Sequence, residues 1–216
     1  MKLTANTLAA AMRDMTQESA ALWIEHVNQT LEECRCKTPE QVAQWIAHVG
    51  HESSGLTRLV ESLDYSVDAL IKNFGRHRIS ESDARKYGRN GNRPANQIAI
   101  AQCLYGGEWG QKWLGNRIET NDAWTYRGQG PIQITGRSNV ELCSRAINVD
   151  LLADPSLLQT RGIGCRSTVW FWNRHNLAGH NGAVETVCRL INGGTNGLAD
   201  RIARYQRAIS VLRGDR

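Results

Sequence analysis

Apolar residues recur at helical spacing over most of the chain. Across residues 17–33, Ala20, Ile24, Val27 and Leu31 fall on one face, the pattern of an amphipathic helix laid on a core. The next helix is better delimited. Thr38 with Gln41 makes a capping-box signature, and Pro39 takes the first helical position, where its missing N–H costs nothing. From about 39 to 53 the apolar stripe is Val42, Trp45, Ile46 and Val49, and Glu52 continues it, so that a carboxyl group ends an inward-facing stripe. Gly55 supplies the left-handed stop expected just past a helix.

Residues 95–105 read as a helix closed by Gly106-Gly107, whereas Arg76 to Pro94, polar and rich in Gly and Arg, is assigned to a loop. Residues 127–135 mix Gly128, Gly130 and Pro131 with the β-branched Ile132, Ile134 and Thr135, which suggests a short irregular strand. Helices are expected near 138–147, 163–175 and 182–191. A last one begins after Asn196 and runs to about Leu212, with Leu198, Ile202, Tyr205, Ile209 and Leu212 along one face. No repeat, low-complexity tract or linker divides the sequence, and 216 residues can bury one substantial core. The pattern predicts a mainly α chain (α+β class) with a small β element, a single domain over 1–216 with the helices of residues 1–37 packed on the rest. Such an architecture is a scaffold for a cleft and does not specify a function.

Composition adds modest constraints. Seven Trp against two Phe favour rings that join an apolar face to a hydrogen-bond donor; sugar-binding clefts use such rings, and so do ordinary cores. A net charge of +5 and a pI near 9.0 suit an anionic partner such as nucleic acid, anionic lipid or an acidic cell wall, or serve solubility alone. Arg is scattered from Arg13 to Arg216 without the run of a nucleic-acid arm, so no nucleic-acid partner is expected. The first residues, Met1 to Leu8, lack the unbroken apolar core of a signal peptide, and no stretch approaches a membrane span. The expectation is folding in a cytoplasm without stable membrane insertion. Cys34, Cys36, Cys103, Cys143, Cys165 and Cys188 then read as buried free thiols, the alternative being a disulfide formed after export. Their spacing fits no zinc site.

The groups that can do chemistry are concentrated. Gly128-Gln129-Gly130-Pro131-Ile132-Gln133-Ile134-Thr135 with Asn139, and His51-Glu52-Ser53-Ser54-Gly55 upstream, bring together a hydroxyl, carboxamides and a carboxyl. With a second carboxyl at Glu61, these are the groups needed to hold a sugar ring and activate a water beside it. On one continuous helix Glu52 and Glu61 would point about 180° apart and lie about 13 Å apart along the axis, too far to flank one bond. Ser53-Ser54-Gly55 breaks the helix and makes a facing pair possible. Glu52, on an apolar face, should have its charged form disfavoured, as a general acid requires; Glu61, beside Ser62, Asp64 and Tyr65, should stay ionised as a base. Taken singly, Glu61 also reads as an exposed carboxylate, Asn192-Gly193 as a helix-ending turn, and Arg201 as a surface charge.

His51-Glu52-Ser53-Ser54-Gly55, Tyr126-Arg127 with the octet, Ile191-Asn192-Gly193-Gly194 and Asp200-Arg201-Ile202 occur in the order seen in glycoside hydrolase family 19. The chain resembles that family over about 38–206, and its bacteriophage endolysin branch more closely than plant chitinases, whose second Glu comes later. The resemblance implies a lysozyme-like fold with a substrate cleft between two lobes. It makes Glu52 the general acid, Glu61 the base and Thr135 the hydroxyl that helps hold the attacking water. Gln133, Asn139, Asn192 and Arg201 match residues that bind substrate or orient the carboxylates, His51 matches a cleft histidine, and Tyr126 is placed with the substrate-binding set. Gln129 departs from the family's usual Arg.

The expected activity is inverting hydrolysis of the β-1,4 bonds of peptidoglycan glycan strands, with no metal or organic cofactor. The expected state is a monomer, held in the host bacterial cytoplasm until release to the periplasm and cell wall, with a phage holin implied by the resemblance as export helper. A chitinase is the alternative enzyme. A non-catalytic wall-binding module would not need an acid and base pair.

Overall fold

The computed structural model describes residues 1–91 and 93–214. Its helices are α1 (Ala5–Ala11), α2 (Gln17–Glu33), α3 (Pro39–Ser53), α4 (Val67–Asn73), α5 (Glu81–Tyr87), α6 (Gln97–Tyr105), α7 (Gly107–Leu114), α8 (Asp122–Thr125), α9 (Arg137–Ile147), α10 (Arg161–Arg174), α11 (Val184–Asn192) and α12 (Leu198–Arg213). Many starts are set by one device. Thr4, Thr16, Thr38, Ser66, Ser80 and Asn96 each accept the N–H of the residue three places on, satisfying a donor the helix leaves orphaned. At Thr38 the capping box is complete, with Gln41 reaching back to the Thr38 N–H.

The chain divides into two compact units. Unit 1 holds Met1–Leu59, Gly130–Gln133 and the chain from Ser156 through α12. There α3 packs along α12, α1 lies against α2 and α12, and α2 lies against α10. Leu8, Met12, Val27, Leu31, Trp45, Ile46, Val49 and Trp172 are buried in this unit. The stripe on α3 is the one the sequence predicts. On α2 the inward aromatic is Trp23, and Ile24 is only partly covered. The inner face of α12 differs more: Arg201, Arg204 and Ala208 are buried, whereas Ile202 is exposed and Leu198, Tyr205, Ile209 and Leu212 are partly covered. Apolar periodicity chose the wrong face because two arginines on the other have carboxylate partners in unit 1 that offset their desolvation.

Unit 2 holds Val60–Gln129 and Ile134–Pro155. Its core is Leu63, Leu70, Ile79, Ala84, Ile100, Ala101, Leu104 and Ala123; Tyr65 and Phe74, in edge-to-face contact with each other, pack against it. The stretch from Arg76 to Pro94, expected to be loop, contains α5. Ser80 caps Asp83 at 3.0 Å, and Ile79 and Ala84 anchor the turn in the core, which outweighs the Gly and Arg content of the flanks. The irregular strand expected at 127–135 is reduced to isolated bridges, Val60 with Gln129 and Gln129 with Ile134. Pairing stops there because Gly130 (φ 82°) and Gln133 (φ 52°) both take left-handed backbone and close a turn, Gln133 N–H donating to Gly130 O at 3.1 Å.

Candidate active site

In unit 1 the site is built where the last turn of α3 meets the first turn of α12. Arg201, 1% exposed, donates from Nη2 to Glu52 Oε1 and from Nη1 to His48 Nδ1 at 3.1 Å. A guanidinium has no acceptor, so His48 Nδ1 must accept and the ring proton sits on Nε2. Burial, reinforced by the charges of Arg201 and His51, pushes His48 down to about 3, so the imidazole is neutral. Glu52 is thus not alone with an apolar stripe: its side chain is 17% exposed and rests on a guanidinium that cannot itself reach water.

Beside this pair, His51 Nδ1 lies 2.7 Å from Asp200 Oδ2, which also accepts from Arg204 Nε at 2.6 Å. Burial works against ionisation of Asp200, but the bonds from His51 and Arg204 prevail and hold its carboxyl below the usual range. Arg204 in turn reaches Asp14 at 2.7 Å. Gly197 makes the approach possible. It has φ 71°, and a Cβ there would fall 2.3 Å from the His51 ring, so only glycine fits at the head of α12. Asn192 shapes the same entry: its Nδ2 donates to Asn196 O and its Oδ1 accepts from Gly194 N–H, both at 2.9 Å.

In unit 2, Glu61 follows Val60, whose partner is Gln129, and its N–H donates to Gly128 O at 2.8 Å. Its carboxyl is fixed at both oxygens. Tyr105 Oη donates to Oε1 at 2.6 Å and Gly128 N–H to Oε2 at 3.2 Å. Ile134 bridges the same Gln129, so Glu61 and Thr135, the next residue of each arm, leave one narrow ladder. Asn139, near the start of α9, donates to the Thr135 carbonyl at 2.8 Å. Gly136 between them has φ 89°, and a Cβ would meet Leu114 Cβ at 2.8 Å.

Structure therefore groups His51, Glu52 and Arg201 in unit 1, and Glu61, Thr135 and Asn139 in unit 2. Gln133, in unit 1, donates to the Gly130 carbonyl at 2.9 Å. Tyr126 is 5% exposed in unit 2 with its hydroxyl on Leu152 O at 3.2 Å, the position of a core residue. Gln129, 3% exposed, donates to Thr125 O at 3.0 Å, using its amide to brace the ladder. Sequence reasoning passed over His48, Asp200 and Tyr105. Asp200 stands inside a quoted motif beside Arg201, which was signal enough; His48 and Tyr105 are ordinary helical residues until their partners are in place.

A glycosyl hydrolase family 19 domain-containing protein of Haemophilus influenzae is 32% identical over 190 residues, 88% of each chain. This chain belongs to glycoside hydrolase family 19. The family's sequence profile, described as chitinase class I, matches residues 106–215, which include Thr135, Asn139, Asn192 and Arg201 and leave Glu52 and Glu61 upstream. An acidic endochitinase of Petunia hybrida is 28% identical over 116 residues, 40% of this chain and 46% of the plant protein. The chain thus spans less than half the length of that plant relative. The crystal structure of chitinase C from Streptomyces griseus superposes with a TM-score of 0.60 at 16% identity, over 97% of this chain and 92% of that one. The mainly α, lysozyme-like fold of family 19 chitinases is therefore the fold of this glycoside hydrolase.

Proposed function

We propose that this family 19 enzyme is an endolysin that hydrolyses the β-1,4 bonds of peptidoglycan glycan strands with inversion. Glu52 protonates the departing glycosidic oxygen, and Glu61, with the Thr135 hydroxyl, takes the proton of a water that attacks the anomeric carbon from the opposite face. The observation that carries this reading is the different company of the two carboxyls. Glu52 sits on a buried guanidinium at the end of an apolar helix face, and Glu61 is held by two neutral donors, one on each oxygen. Arg201 orients Glu52, while His51, Asn139 and Asn192 are assigned to substrate binding. A bond so cleaved needs no metal or organic cofactor.

Net charge favours the wall over chitin, since a chain of +5 is drawn to the carboxylates of the lactyl-peptide branches, which uncharged chitin lacks. In this reading the enzyme is a monomer, waits in the host bacterial cytoplasm and reaches the periplasm with the help of a holin. A second reading, chitinase, is favoured by the names of the plant relatives and of the superposed crystal structures. The deciding experiment is digestion of purified peptidoglycan and of chitin by the same preparation, with mass spectrometry of the soluble products. Reducing muropeptides from the wall support the proposal. Release of chito-oligosaccharides with an untouched wall overturns it in favour of the chitinase.

A further inference from the structure

We propose that Tyr105 is a positioning residue for Glu61: its phenolic O–H fixes the plane of the carboxylate that takes a proton from water. The inference rests on the reading of Glu61 as the base. The bond from Tyr105 Oη to Oε1 is 2.6 Å, within the range of a charge-assisted O–H···O⁻ contact, and the Gly128 N–H holds the other oxygen at 3.2 Å. Two donors on different oxygens determine the orientation of the group. They also leave it room to act, because an ionised carboxyl has about four lone-pair sites and these donors occupy two of them.

Tyr105 is suited to give this bond at every working pH. It is the last residue of α6, and its own carbonyl is tied to Asn116 Nδ2 at 2.9 Å, so the phenol is carried on a braced backbone. Burial, and then the neighbouring charge of Glu61, push its ionisation far above the ordinary tyrosine range, so the hydroxyl keeps its proton and remains a donor. The other groups facing Glu61 are Tyr65, also pushed up by burial and by Glu61, and Arg127 from the segment before Gly128. Arg78 bears on Tyr105 from the connection between α4 and α5. Among these, Tyr105 is the side chain in direct hydrogen-bond contact with the carboxyl.

The test is the pH dependence of kcat/KM for wall hydrolysis. Tyr105→Phe keeps the ring and removes the donor, so protonation should silence the base at higher pH. The acidic limb of the profile should move up by about one to two pH units, the equivalent of one hydrogen bond to a charged group. Replacing Tyr105 by 3,5-difluorotyrosine, a stronger donor of the same shape, should move the limb down. A purely structural role would lower activity across the range and leave the limb where it is, and that result overturns the proposal. If Tyr105→Phe does not fold, the direction of the fluorotyrosine shift decides alone, an unmoved or raised limb counting against it. Glu61→Gln separates the two claims. Its inactivity with an unmoved limb in the Tyr105 variants sinks the role of Tyr105 only, whereas near-normal activity sinks the assignment of Glu61 and with it this one.

Discussion

Replacing His48 by Asn should flatten the acid dependence of stability. In the fold His48 is pushed down to about 3, chiefly by burial and then by Arg201 and His51, whereas in the unfolded chain it titrates near the ordinary value of about 6.5. Between those values the unfolded state binds a proton that the folded state refuses. Falling pH therefore favours unfolding, and the contribution is present in full above about 6.5 and lost progressively as pH drops toward 3. The slope approaches about 1.4 kcal/mol per pH unit below 6.5 and is half that at 6.5 itself, so lowering the pH from 6.5 to 4.5 should remove about 2.3 kcal/mol through this residue. Asn offers an acceptor where Nδ1 stood, keeping a partner for Arg201, but has no proton to gain. Urea unfolding followed by circular dichroism at the two pH values measures it. The wild type should lose more stability on acidification than His48→Asn, by about that amount. Equal losses would refute the neutral, buried imidazole.

Glu52→Gln should lower wall hydrolysis at least about a hundredfold while leaving the protein folded, because its amide oxygen still accepts from Arg201 but its nitrogen cannot protonate a leaving sugar. Glu52→Ala should also lose about 3–5 kcal/mol of stability by stranding a buried guanidinium, and equal stabilities of the two variants in urea would show that the pair does not matter to the fold. Titration with an aromatic disulfide should find Cys103, the partly covered thiol, reacting first, and the other five only on unfolding. Burial raises Cys36 to about 12 and Cys165 to about 11, so rapid reaction of either in the native protein would contradict their placement.

What the sequence disclosed was local. The limits of α3 were legible because a capping box, a Pro at the first position and an unbroken stripe all agree within fifteen residues. Glu52 could be placed at the end of that stripe for the same reason. The octet was legible as irregular backbone through its glycines, although the turn at Gly130–Gln133 leaves only bridges. The inner face of α12 was hidden because burial of Arg204 depends on Asp14, 190 residues away, and that of Arg201 on Glu52 and His48. No periodicity carries such pairings. The contact of Tyr105 with Glu61 spans 44 positions and left no trace in the chain, and α5 was hidden by the polar, Gly- and Arg-rich residues that flank it.

The central claim is that a water, activated by Glu61 and Thr135, displaces the sugar protonated by Glu52. The stereochemistry of the first product tests it most directly. Purified peptidoglycan should be digested in the spectrometer and the new reducing ends followed by rapid proton NMR before mutarotation. A single displacement at a β bond predicts the α anomer, with the β form growing only as mutarotation proceeds. An initial β anomer would mean retention through a covalent intermediate, and an anhydro sugar without a reducing end would mean that no water attacks at all; either contradicts the account.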